Sequence, residues 1–94
     1  MKNTARLFRL YTENVNRDRL EEECSDLFTS FTLLEGTGYF KGKEEACLIV
    51  EVLTPAEKSL DIARHMVSLA HSIKHFNNQQ EVLLLSHDVA SLSI

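Results

Sequence analysis

Apolar residues recur along this chain with two different periods, and each change of period marks a structural element. From Arg6 to Thr12 (RLFRLYT) the period is two, with Phe8 and Leu10 on one side and Leu7, Arg9 and Tyr11 on the other. This predicts a first strand with neither face plainly polar. The spacing then lengthens: Leu20, Cys24, Leu27, Phe28 and Phe31 recur at helical intervals. Asn16 stands where that helix needs a cap, and Val15 stands where it can staple onto Leu20.

From Thr32 the stretch TLLEGTGYF predicts a second strand. Gly36 and Gly38 interrupt it, as at a bulge or a close approach by another backbone or a ligand. Lys41-Gly42-Lys43 marks a turn. Ala46 to Leu53 (ACLIVEVL) is the clearest strand, with Ala46, Leu48, Val50 and Val52 on one face and Cys47, Ile49, Glu51 and Leu53 on the other. Both faces are apolar, so both are expected to be covered.

Thr54-Pro55-Ala56-Glu57 has the form of a helix start, with Thr54 as cap, Pro55 at the first helical position and Glu57 completing a capping box. The second helix is expected to reach about Phe76. Ile62, Met66, Leu69, Ile73 and Phe76 form its apolar stripe, widened by Leu60, Ala63, Val67 and Ala70. After a polar break at Asn77 to Gln80, Glu81 to Ser86 (EVLLLS) predicts another strand, and Val89 to Ile94 a short edge strand. The expected order is βαββαβ with a short C-terminal β extension. That is the α+β, ferredoxin-like arrangement, with two helices on one face of an antiparallel sheet.

In that topology the first and third strands are neighbours at the centre of the sheet. Arg9 and Glu51 then meet on the helix-free face, among Leu7, Tyr11, Cys47, Ile49 and either Leu83 or Leu85. A monomer would leave this apolar area in water, so the chain is expected to assemble with itself, as a trimer or a dimer-based oligomer. Leu7, Arg9, Cys47, Ile49 and Glu51 are the expected interface.

Composition narrows the function classes. The 94 residues suit one domain spanning residues 1–94, with a core but little surplus stability. A net charge of -4 argues against a sequence-independent grip on nucleic acid. The longest apolar run, Ala46 to Val50, is far too short to cross a membrane, and MKNTARLFRL lacks the apolar stretch of a secretory signal, so a cytoplasmic location is expected. Cys24 and Cys47 lack the close pairing of zinc or redox sites and are expected as small buried hydrophobes.

The most suggestive stretch runs from Glu35 to Lys43 (EGTGYFKGK). Its glycines bare backbone amides, while Thr37, Tyr39, Lys41 and Lys43 offer a hydroxyl, a ring and two cations. Together with Glu35, and with Arg9 and Tyr11 of the first strand, they form the expected binding set for an anionic small molecule, such as a nucleotide. The plain alternative is a hairpin whose lysines keep an edge soluble. His71 and His75 lie four apart on the second helix, near Arg64 and Ser68, but lack a third ligand, so no metal is expected. Glu21, Glu22, Glu23 and Asp26 are a solvated helix face. No nucleophile elbow or other catalytic signature is present, and no cofactor is expected. Two alternatives stay open: a module docking on another protein through the apolar sheet face, and a small enzyme using Glu35 or Glu51 as acid or base.

The stretch Gly38-Tyr-Phe-Lys-Gly-Lys43, followed by the strand Leu48-Ile-Val-Glu-Val52, resembles the region of the CutA proteins where an aromatic-x-Gly-Lys turn joins the second and third strands. The element order is similar to that of CutA and the signalling PII proteins. The resemblance implies a trimer of ferredoxin-like subunits with sheets around a central axis, and small ligands or metals in clefts between subunits. Glu51 stands where the CutA pattern favours a lysine, and the long loop and nucleotide-binding segments of PII have no counterpart. The resemblance therefore carries architecture and a tendency to oligomerise, and no functional residue.

Overall fold

A long central strand organises the molecule. In the computed structural model, which describes residues 2–94 and so leaves Met1 of the expected domain outside, β1 spans Lys2–Glu13. It is followed by α1 (Arg17–Leu27), β2 (Thr32–Phe40), β3 (Lys43–Pro55), a short 3-10 turn (Ala56–Lys58), α2 (Ser59–Asn77) and β4 (Leu83–Leu92). The sheet order is β2-β3-β1-β4 with every neighbouring pair antiparallel, the ferredoxin-like arrangement.

Strand alternation decides what is buried. Phe8 and Leu10 of β1 and Leu48, Val50 and Val52 of β3 point to the helix side. There they meet Leu20, Cys24 and Phe28 at α1, and Met66, Leu69 and Ile73 of α2. Met66, Leu69 and Ile73 are wholly buried, each contributing roughly 1.5–3 kcal/mol through removal of apolar surface from water. Leu60 and Val67 stay exposed, so the apolar stripe of α2 is narrower than its sequence implies. No described helix is long and apolar enough to cross a membrane.

Several local expectations are revised by long-range pairing. Val89 to Leu92 is not a separate edge strand but the second half of β4, because β1 begins early enough to pair Thr4 with Ala90 and Lys2 with Leu92. Thr54 does not cap α2. Its backbone is committed to the sheet opposite Arg6, its side chain is buried, and its hydroxyl reaches only the carbonyl of Pro55, at 3.4 Å. Asn16 precedes α1 in the left-handed conformation, but its amide turns away to donate to Phe76 O and Asn77 Oδ1 (3.3 and 2.9 Å). Val15 stays exposed.

The β2–β3 hairpin carries no bulge: its register runs unbroken from Thr32 opposite Glu51 to Phe40 opposite Lys43. Lys41 and Gly42 both take positive φ (50° and 79°), the pattern of a two-residue hairpin turn. Gly36 does mark a close approach, but by a side chain. A Cβ there would lie 3.1 Å from the Sγ of Cys47, its cross-strand neighbour.

Candidate functional site

The helix-free face is built by the odd-numbered residues of β1 and β3. Register sets Leu7 opposite Leu53, Arg9 opposite Glu51 and Tyr11 opposite Ile49. The Arg9 Nε donates to Glu51 Oε2 at 2.8 Å, and this hydrogen bond, with the charge of Glu51, raises the guanidinium above its ordinary value. Around the pair lie Leu7, Tyr11, Cys47 and Ile49, all half-buried, and the more exposed Leu34, Leu53, Leu83 and Leu85. Leu53 is 55% exposed, Leu83 48% and Leu85 45%, so much apolar area faces water in the single chain. Leu7, Arg9, Cys47, Ile49 and Glu51 thus share one surface.

The expected ligand-binding set is divided by the sheet. Arg9 and Tyr11 are on the helix-free face, whereas the hairpin register puts Glu35, Thr37 and Tyr39 on the opposite one. Glu35 pairs there with Arg17, at the start of α1, which also holds Glu21 at 3.0 Å. Tyr39 Oη donates to Glu44 Oε1 at 3.1 Å. Lys41 lies over the Phe40 ring at the hairpin tip, 5.4 Å from its centroid, and Lys43 opens β3 opposite Phe40. Glu35 and Glu51 also occupy opposite faces, so only Glu51 is near Tyr11.

Three-dimensional packing adds a feature with no local signature. At the hairpin end of the sheet, a depression of about 290 Å³ is lined by Tyr11, Glu13, Glu45, Gln79, Glu81 and Leu83, with Gly38 and Cys47 beside them. An amide clasp supports one wall. Thr12, buried at the end of β1, donates to Gln79 Oε1 (2.6 Å); Asn77 Nδ2 donates to the same oxygen (2.6 Å); and Asn16 Nδ2 donates to Asn77 Oδ1. Gln79 Nε2 in turn donates to the carbonyl of Glu81 (3.1 Å). The available sequence signal was the run Asn77 to Gln80, where Asn78 takes the left-handed conformation that ends α2. A second depression, of about 430 Å³, lies beyond the other end of β1, between Thr4, Leu53, Thr54 and Glu57.

Solved structures of known proteins share this architecture. CPII of Thiomonas intermedia K12, a nitrogen regulatory PII-like protein bound to ADP, AMP and bicarbonate, superposes over 100% of this chain and 99% of its own with a TM-score of 0.63 at 10% identity. The chain has the PII-like fold. A protein of Thermus thermophilus assigned to PII-like signalling aligns with 18% identity over 97% of this chain and 91% of its own, TM-score 0.63. A phage SAM lyase in complex with S-methyl-5'-thioadenosine aligns over 95% and 90% with TM-score 0.70 at 8% identity. No family profile and no curated protein matches the sequence.

Proposed function

We propose that this chain is a small non-enzymatic homo-oligomer that binds an adenine nucleotide or nucleoside where two copies meet, in a regulatory or sequestering role. The observation that carries this reading is continuity. Tyr11, Cys47 and Leu83 belong both to the depression and to the apolar helix-free face, so a second copy covering that face would roof the depression as well. Tyr11 supplies a ring edge or face for a base. Lys41 and Lys43 belong to the adjoining hairpin tip and lie outside the lining of the depression. PII-like neighbours bound to ADP and AMP, and a lyase in complex with a thioadenosine, support an adenosine-type ligand on this fold.

Isothermal titration with AMP, ADP, S-methyl-5'-thioadenosine and S-adenosylmethionine tests the ligand, and light scattering tests the assembly. Silence from all four compounds with a folded sample removes the ligand half of the proposal. A monomer at high concentration removes the oligomer half and favours the docking module, whose face would await a different protein. Since Glu51 shares its face with Tyr11, the enzymatic alternative narrows to Glu51. It predicts that chromatography of an incubated nucleoside sample shows turnover that Glu51→Gln abolishes.

A further inference from the structure

We infer that the depression selects an adenine nucleoside whose 5' substituent is neutral or cationic, such as a thioether or sulfonium, over one that ends in phosphate. This rests on the depression being a nucleoside site and concerns its chemistry. What points to the ligand class is the set of side chains that line the depression. Phosphate needs N–H donors or cations, and the carboxylates of Glu13, Glu45 and Glu81 in that lining are acceptors only. The one side-chain amide in its wall is partly engaged: Gln79 Nε2 donates one of its two N–H groups to the Glu81 carbonyl, while its oxygen is held by Thr12 and Asn77. Neither Gly38 nor any other residue of the wall has the positive φ of an anion-binding backbone nest.

The charges agree with the donors. Arg6, Arg9, Arg17 and Arg19 each lie against a carboxylate (Asp88, Glu51, Glu21 with Glu35, and Glu23), so the arginines of β1 and α1 are already engaged. By contrast Glu13, Glu45 and Glu81 are exposed, and none joins an ion pair among the described residues. No lysine or arginine lines the depression with them. A doubly charged phosphate there would meet three like charges, whereas a sulfonium would meet three opposite ones and the face of Tyr11. A bare metal ion is the poorer occupant, since these carboxylates do not gather into a metal-holding group among the described residues. Adenine and ribose fit the acceptor-rich wall, because the exocyclic amine and the hydroxyls are donors.

The test is equilibrium dialysis of the assembled wild-type protein, Glu45→Gln and Glu81→Gln against S-adenosylmethionine, S-methyl-5'-thioadenosine and AMP at one ionic strength. The wild type should bind S-adenosylmethionine at least about tenfold more tightly than AMP, with added salt narrowing the gap. Each substitution should weaken S-adenosylmethionine and tighten AMP by up to about fivefold, leaving the neutral thioadenosine unmoved. Both side chains are exposed, so the variants should fold. AMP binding as tightly as S-adenosylmethionine, or unchanged selectivity in both variants, overturns the inference while the nucleoside site stands. Absence of binding by all three ligands overturns the site and the inference together.

Discussion

Gly36→Ala measures how closely the hairpin packs beside the candidate site. The new Cβ would sit 3.1 Å from Cys47 Sγ and 3.9 Å from Ile49 Cδ1, so the sulfur must give by a few tenths of an ångström. Two opposed effects set the outcome. Replacing a strand glycine by alanine removes chain entropy from the unfolded state and is favourable by about 0.5–1 kcal/mol. Crowding a packed contact costs about 1–3 kcal/mol. The single variant should therefore lose roughly 0.5–2 kcal/mol in urea unfolding, or some 4–8 °C of Tm per kcal/mol for a chain of this size. Cys47→Ala removes the obstructing sulfur, so Gly36→Ala in that background should stabilise by about 0.5–1 kcal/mol. The cycle then shows a coupling of about 1–3 kcal/mol, measured at one fixed protein concentration because assembly shifts apparent stability. Additivity within about 0.5 kcal/mol would refute the contact, and with it the register that places Gly36 opposite Cys47.

Other consequences are as direct. Ile49→Asp puts a charge at the centre of the helix-free face; light scattering should show a monomer with unchanged circular dichroism, and an intact oligomer would mean that assembly uses another surface. Leu10→Ala, at a wholly buried core position, should cost about 2–5 kcal/mol in urea unfolding, while Leu53→Ala on the open face should cost far less in the monomer. Gln79→Ala leaves the buried Thr12 hydroxyl without its acceptor and should cost about 1–3 kcal/mol, with Gln79→Glu retaining most of the stability because an acceptor oxygen remains. Burial pushes the Cys24 thiol up to about 12 from an ordinary 9.0. Because the folded state favours the protonated thiol, its stabilising contribution is intact below pH 9 and is lost as pH rises towards 12. Thiol labelling at pH 8 followed by peptide mapping should find Cys24 unmodified until the chain unfolds, and native-state labelling of Cys24 would refute its burial.

The expected arrangement of elements and the Arg9–Glu51 contact survive in the structure because they follow from spacing. Period-two alternation assigned Leu7, Arg9 and Tyr11 to one side of β1 and Cys47, Ile49 and Glu51 to one side of β3, and the structure keeps both groups together. The hairpin set was harder to read. Glu35, Thr37 and Tyr39 look contiguous with the glycines in sequence, yet alternation turns them to the helix side of the sheet, where Arg17 claims Glu35. Thr54 shows the same competition at a helix start: its capping pattern is local, but pairing with β1 takes the backbone first and α2 begins only at Ser59.

What the sequence by itself determined is therefore the direction of each side chain relative to its own strand or helix, since that is fixed by covalent geometry over a few residues. What only the tertiary structure decided is which of those faces meet. The pairing of Lys2 with Leu92 made one long β4 from two expected segments. The closing of β1 against the α2–β4 corner brought Thr12 to Gln79, and gathered Glu13, Glu45 and Glu81 around Tyr11. Those three carboxylates lie on separate strands and loops with ordinary local surroundings. Their common environment exists only once the chain has folded, and long-range packing leaves no period behind by which a sequence could announce it.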